Sequence, residues 1–153
     1  MELVRFRPGT PQEAPLYNKL TMAGVRWYGH EATTPEVLAG LEAMLEAGNP
    51  NEVVTVAEEQ GEIAGFYGLV DEGEFVELLR MFLTTNRIGK GYGTLLWEHA
   101  IETASATHTR MKIVADPGAR RFYEVKGAVL EKDIEAAPGL VLGVYWYELS
   151  PST

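Results

Sequence analysis

The segment best suited to chemistry is a glycine-rich run in the middle of the chain, Arg87-Ile88-Gly89-Lys90-Gly91-Tyr92-Gly93-Thr94. Its three glycines alternate with larger residues, after an apolar run at 78–83 and before a helical pattern. Glycine allows a sharp turn and lets a ligand approach main-chain N–H groups closely. A turn of this kind that opens a helix also directs unpaired N–H groups and the positive end of the helix dipole at one point. The segment therefore predicts a phosphate site.

Two common phosphate-binding motifs do not fit this segment. The first glycine and the Lys-Ser/Thr ending of a P-loop are missing, and the glycine spacing and mid-chain position differ from those of a dinucleotide-binding fingerprint. Lys90 adds local positive charge, with a solvated loop lysine as the alternative interpretation. On this segment alone, an ordinary flexible turn stays open as well.

A second segment, at 115–128, reads Ala-Asp-Pro-Gly-Ala-Arg-Arg-Phe-Tyr-Glu-Val-Lys-Gly-Ala. Asp116 followed by Pro117 is typical of a helix N-cap with proline in the first turn. Tyr123 stands beside Phe122, and such aromatic pairs on helices usually pack in a core. The segment therefore predicts a helix that ends at Gly127.

A single carboxylate stands among apolar residues just before the run at 78–83. Glu77 stands among Phe75, Val76, Leu78 and Leu79, where a buried carboxylate is unfavourable unless it is paired. Desolvation would raise its pKa toward the range that suits proton transfer at neutral pH. Glu77 is therefore a candidate general base, and an outward-facing strand position is the alternative.

Composition bounds the class of protein. The 153 residues, 46% of them hydrophobic, suit one globular domain with its own core. No apolar run approaches the ~20 residues that span a bilayer, and the first residues lack the pattern of a signal peptide, so a cytoplasmic location is expected. The absence of cysteine excludes disulfides, thiolate metal sites and a cysteine nucleophile. His30, His99 and His108 show no metal spacing, so no metal is expected.

The net charge of -9 opposes broad attraction to nucleic acid or to an anionic membrane. We therefore expect neither as a partner. An acidic protein can still bind a phosphate ligand at a locally positive site, and it would attract a cationic second substrate such as an amine.

Hydrophobic periodicity predicts the elements that must position these segments. Strands are predicted at 2–7, 53–57, 63–70, 75–83, 111–115, 128–131 and 140–149, and helices at 11–28, 34–48, 93–104 and 116–127. The resulting order is β, α, α, β, β, β, α, β, α, β, β, without an internal repeat or linker. This order predicts a mixed sheet flanked by helices.

The element order and the two segments resemble the GCN5-related N-acetyltransferase (GNAT) superfamily over essentially the whole chain, 1–153. The family's first motif is Arg or Gln, two residues, Gly, one residue, then Gly or Ala; Gly91-Tyr92-Gly93 fits its end, while Ile88 stands at the Arg/Gln position. The second segment resembles the family pattern Asn/Asp-Pro-x-Ala-x-x-Phe-Tyr-x-x-x-Gly-Phe/Ala. The resemblance implies a single α/β domain with a mixed, mainly antiparallel sheet of about seven strands, about four flanking helices and splayed central strands.

The resemblance also implies acetyl-CoA as cosubstrate. The glycine-rich loop would bind its pyrophosphate through main-chain N–H groups, and the strand before the loop would pair with the pantetheine arm. A bulge in that strand would free an N–H group for the thioester oxygen. The implied cofactor-binding residues are Met81, Phe82, Leu83, Ile88, Gly89, Lys90, Gly91, Tyr92, Gly93, Thr94, Asp116, Ala119, Phe122 and Tyr123.

For the chemistry, the resemblance implies transfer of an acetyl group to a primary amine by direct attack in a ternary complex. Tyr123 would be the general acid that protonates the leaving thiolate, and Glu77 the general base, with His30 as the alternative base. The acceptor would be a small-molecule or peptide amine, and a homodimer is left open. Two rival functions remain at this point: an acyl-CoA-binding regulatory or catalytically degenerate member, and an interaction module in which the glycine loop is only a turn.

Overall fold

The computed structural model describes residues 3–28, 34–137 and 140–150. Within these ranges the strands are β1 (Val4–Pro8), β2 (Glu52–Glu59), β3 (Glu62–Asp71), β4 (Val76–Leu83), β5 (Arg110–Ala115), β6 (Val129–Ala137) and β7 (Leu140–Glu148). The helices are α1 (Ala14–Tyr28), α2 (Pro35–Ala47), α3 (Tyr92–Ser105) and α4 (Arg120–Val125). Short 3₁₀ turns at Pro11–Glu13 and Thr85–Arg87 precede α1 and the glycine loop. The predicted element order is confirmed.

The seven strands form one sheet in the order β1-β2-β3-β4-β5-β7-β6. Every neighbouring pair is antiparallel except β4 and β5, which are parallel. The parallel pair needs a crossover, and α3 supplies it, because it lies between the two strands in the chain. The predicted mixed, mainly antiparallel sheet is therefore confirmed.

Successive residues of the central strands are buried on opposite faces of the sheet. On one face Tyr67 and Leu78 pack against Leu96 and Trp97 of α3 in the larger core. On the other face Phe66 packs with Tyr17 of α1 in a smaller core. The period of two in a strand produces this division, and it places α1 and α3 on opposite sides of β4.

The central strands β4 and β5 separate from one another. They pair only from Val76 to Leu78, so the second half of β4 has no partner on that side. The separation begins at a β-bulge, where Leu79 is an extra residue between the β3 partners Gly68 and Leu69. A bulge bends its strand and increases the local twist. The splayed central strands expected from the resemblance are thus present.

Two boundaries differ from the sequence-based prediction. Helix α4 begins at Arg120 with Ala119 at the N-cap, and not at Asp116-Pro117. Residues 116–119 form a turn instead, in which the Ala119 N–H donates to the Asp116 carbonyl over 3.0 Å. Strand β6 extends to Ala137, well past the predicted end at 131. Strand β6 is one of the two edge strands, and charged side chains are well tolerated at an exposed edge although they weaken the local strand pattern.

None of the helices in the described ranges is long and apolar enough to cross a membrane.

Candidate active site

The glycine loop leads from β4 into α3 as the sequence predicted. Gly89 and Gly91 have φ angles of 80° and 90°, in the left-handed region that glycine adopts without strain. Gly91 is the N-cap of α3, and no side chain caps the helix there. The first N–H groups of a helix have no intrahelical acceptor. The start of α3 therefore presents backbone donors and the positive end of the helix dipole to a ligand.

A cleft lies where β4 and β5 separate, between the start of α3 and α4. Nine of the predicted cofactor residues line it: Met81, Phe82, Leu83, Ile88, Gly93, Asp116, Ala119, Phe122 and Tyr123. The other five lie in the adjoining loop and the first turn of α3 and are not part of the lining: Gly89, Lys90, Gly91, Tyr92 and Thr94. An elongated ligand could therefore lie in the cleft and reach the loop with its phosphate end.

The residue at the start of the loop contributes an apolar surface to the cleft, because Ile88 is part of the lining. The neighbouring Arg87 is nearly buried and turns away from the loop. Its guanidinium donates to Glu59 at 3.0 Å, to Glu62 at 3.3 Å and to the Thr84 hydroxyl at 2.9 Å. The Arg87 charge is thus committed to carboxylates of the β2–β3 hairpin.

Tyr92 is held by the same hairpin. Its hydroxyl donates to Glu59 over 2.5 Å, and this hydrogen bond raises the pKa of Tyr92. Glu59, at the end of β2, therefore binds one residue before Gly89 and one residue after Gly91. Sequence reasoning missed this role, because Glu59 and Tyr92 are 33 positions apart and Glu59 is one of three glutamates among residues 58–62.

Tyr123 is packed in the core and also borders the cleft. Its side chain is 6% exposed and contacts the rings of Trp97 and Phe122, with centroids 5.8 Å and 5.4 Å away. It also lines the cleft. A core aromatic whose edge reaches a cavity is held in one orientation by its neighbours, which suits a group that must meet a reacting atom.

Asp116 is the acidic residue of the cleft lining. Burial raises the pKa of its carboxyl, and a hydrogen bond from the Ala119 backbone opposes the shift. Its position after β5, in the turn that leads to α4, puts it on the opposite wall of the cleft from β4.

Glu77 lies outside the cleft lining, next to its edge. It pairs in register with Val70 of β3 and Lys112 of β5, in the last stretch where β4 and β5 still run together. The register places it on the α1 side of the sheet, with Arg80 and Phe82. Burial raises the pKa of Glu77, and the charge of Lys112 partly offsets this. His30, the alternative base, lies outside the described residues.

Arg80, which the sequence analysis did not single out, anchors α1 beside the cleft. The bulge turns its side chain to the α1 face, where it donates to Glu52 at 2.7 and 3.0 Å, to Asn18 at 3.1 Å and to Thr21 at 3.2 Å. A Cβ built on Gly68 would overlap the Glu52 carboxylate, so any larger residue there would displace that carboxylate from its present position. Gly68, a glycine within an apolar strand, was the sequence signal that could have pointed to this ion pair.

Among the described residues, no group of three or more His, Asp or Glu is placed to hold a metal ion. That the protein needs no metal stays a prediction.

A mainly antiparallel sheet with splayed central strands, and a helix that begins at a glycine beside the resulting cleft, is the arrangement that the resemblance to the GNAT acyltransferases implied. The model of the acetyltransferase (GNAT) family matches residues 18–128, and the chain belongs to this family. No curated protein is significantly similar in sequence.

Solved structures show the same fold at low sequence identity. A GCN5-related N-acetyltransferase from Rhodopseudomonas palustris is 19% identical, with 95% of each chain covered and a TM-score of 0.79. The PaiA N-acetyltransferase from Thermoplasma acidophilum, in complex with coenzyme A, is 15% identical, with 95% of this chain and 98% of that chain covered and a TM-score of 0.76. The aminoglycoside 6'-N-acetyltransferase from Enterococcus faecium is 14% identical, with 97% and 99% covered and a TM-score of 0.64.

Proposed function

We propose that this protein is an acetyl-CoA-dependent N-acetyltransferase that acetylates a primary amine by direct attack in a ternary complex. The observation that carries the proposal is the cleft between β4 and β5, continuous with the glycine-capped start of α3. An apolar cleft of this kind suits a pantetheine arm, and backbone donors at a helix start suit a pyrophosphate. The chain's membership of the GNAT family supports the same ligand.

The residues present fit coenzyme A in three ways. The left-handed glycines Gly89 and Gly91 keep side chains away from the helix start. Met81 to Leu83 line the cleft at the part of β4 that β5 has left, so their backbone can pair with an extended ligand. Asp116 offers a polar atom on the opposite wall.

When bound, acetyl-CoA supplies an activated thioester whose carbonyl carbon accepts the amine nitrogen. A main-chain N–H freed near the Leu79 bulge would donate to the carbonyl oxygen as negative charge develops. The C–S bond then breaks, and the Tyr123 hydroxyl donates its proton to the departing sulfur. A phenol, with an ordinary pKa of about 10, can pass a proton to a thiolate because the pKa values of phenols and thiols differ by only about two units.

Glu77 would accept the proton that the amine loses. Because its pKa is raised, Glu77 accepts a proton more readily than an exposed glutamate would and is better suited to act as a base. Since Glu77 lies outside the cleft lining, we propose that the proton reaches it through water on the α1 side of the sheet.

The acceptor is proposed to be a small, cationic amine. The net charge of -9 favours the approach of a cation, and two of the solved relatives are aminoglycoside acetyltransferases. The cytoplasmic location and the homodimer stay predictions.

The test is release of coenzyme A thiol from acetyl-CoA across a panel of amines that spans aminoglycosides, polyamines, amino acids and lysine peptides. Turnover with one class above the hydrolysis background supports the proposal and identifies the acceptor. A second function, coenzyme A binding without catalysis, is favoured by one observation, the position of Glu77 outside the cleft. Tight coenzyme A binding with no turnover across the panel would establish that function instead.

A further inference from the structure

The side chain of Lys126 reaches from the end of α4 to the start of α3. Its ammonium donates to the Thr94 hydroxyl over 2.8 Å and lies 5.4 Å from the centre of the Phe122 ring. Phe122 in turn packs closely on the helix start, because a Cβ built on Gly93 would lie 3.2 Å from that ring. Two contacts therefore hold the ammonium beside the first turn of α3.

This position is electrostatically unfavourable for a lysine on its own. A cation is stabilised at the C-terminal end of a helix and destabilised at the N-terminal end, where the dipole is positive. Within the described part of the chain, no carboxylate forms an ion pair with Lys126 to compensate. The arrangement becomes favourable once an anion lies between the ammonium and the helix start.

The arginine that precedes the glycine loop, Arg87, does not provide a charge for such an anion. Arg87 is committed to Glu59 and Glu62, and Ile88 contributes only apolar surface to the cleft. Lys126 is thus a cation held at the helix start by contacts from a different element of the fold.

We propose that Lys126 binds the pyrophosphate of the cofactor, with Thr94 holding its ammonium in place. The inference rests on the proposed function and extends its binding site to a residue outside the glycine loop. An ammonium has three N–H donors. One is used on Thr94, and the other two would donate to phosphate oxygens as charge-assisted hydrogen bonds.

Capping of α4 is the simpler explanation of a lysine at this position. It accounts less well for the geometry, because the hydrogen bond of the ammonium crosses to α3. Helix α4 also has only six residues, so its dipole is weak.

The test compares Lys126→Gln with Lys132→Gln, which removes the same charge from the exposed edge strand β6. Calorimetry would measure the Kd of each variant for coenzyme A, 3'-dephospho-coenzyme A and pantetheine. We expect Lys126→Gln to raise the Kd for coenzyme A and for 3'-dephospho-coenzyme A about 10-fold, in line with the loss of a hydrogen bond to a charged group. Pantetheine, which has no phosphate, should bind all variants equally, and Lys132→Gln should match the wild type.

Three further measurements separate a role in binding from a folding artefact. The melting temperature of the ligand-free Lys126→Gln variant should stay near that of the wild type, and Thr94→Val should weaken nucleotide binding in the same direction by a smaller factor. The dependence of the Kd on salt should also be shallower without Lys126.

Equal coenzyme A affinity of Lys126→Gln and the wild type would overturn the inference and leave the proposed function intact. If Lys126→Gln loses affinity for coenzyme A but not for 3'-dephospho-coenzyme A, the pyrophosphate assignment is overturned. Failure of the wild type to bind coenzyme A at all would overturn the inference and the proposed function together.

Discussion

The ion pair between Arg80 and Glu52 should contribute more to stability than any exposed pair of the protein. Its side chains are 12% and 7% exposed, and the Arg80 guanidinium also donates to Asn18 and Thr21 and lies 5.0 Å from the Phe66 ring. Replacement of Glu52 by glutamine would leave the arginine charge buried beneath α1 without compensation. We therefore expect a loss of unfolding free energy.

The size of the loss follows from the burial. Removal of one partner of a buried ion pair costs about 3–5 kcal/mol. Because the amide oxygen of the introduced glutamine still accepts one hydrogen bond from Arg80, and each such bond contributes about 1 kcal/mol, we expect a loss near the lower limit, about 3 kcal/mol. In a chain of this size that corresponds to a decrease in Tm of about 6–12 °C.

The assay is urea unfolding followed by tryptophan fluorescence. Glu58→Gln is the matched control, because Glu58 lies on the same strand and forms an ion pair with Arg7. This pair is more exposed: the Arg7 side chain is 33% exposed and the Glu58 side chain 30%. Such a pair contributes at most about 1 kcal/mol. If Glu52→Gln loses no more stability than Glu58→Gln, burial does not set the strength of the Arg80 pair and the reasoning is wrong.

Three further predictions concern the proposed reaction. Tyr123→Phe should lower kcat by about 100-fold with little change in the Kd for acetyl-CoA, since only the acidic hydroxyl is removed; unchanged turnover would remove Tyr123 from the mechanism. Gly91→Glu should abolish coenzyme A binding in calorimetry, because its φ of 90° disfavours any side chain and a carboxylate would repel phosphate; tight binding by this variant would contradict the loop assignment. The pKa of Glu77 is raised, so its deprotonated fraction, and with it kcat/KM, should fall as pH decreases through that raised value. Glu77→Gln should lose this acidic limb, and a variant that keeps it would show that another group is the base.

Much of the candidate site could be predicted because its signals are local. Glycines in the loop indicate a backbone with positive φ angles, which the structure has at Gly89 and Gly91. The motif around Tyr123 lies in one continuous segment. The start of α4 was predicted wrongly at Asp116-Pro117 because a turn and a first helical turn favour the same residues. Burial, which determines the pKa of Asp116 and of Glu77, could not be predicted from local pattern alone.

The amino-acid sequence by itself determined the order of strands and helices, since hydrophobic periodicity is a local property. It also determined the position of the glycine-capped helix and the residue types around the cleft. Tertiary structure alone decided which side chains meet. The one-residue shift at the Leu79 bulge sends Arg80 to Glu52 under α1, and the packing of α4 on α3 brings Lys126 to Thr94. The physical reason is that these contacts join residues about 30 positions apart, and their geometry depends on strand register and helix packing, which no local pattern encodes.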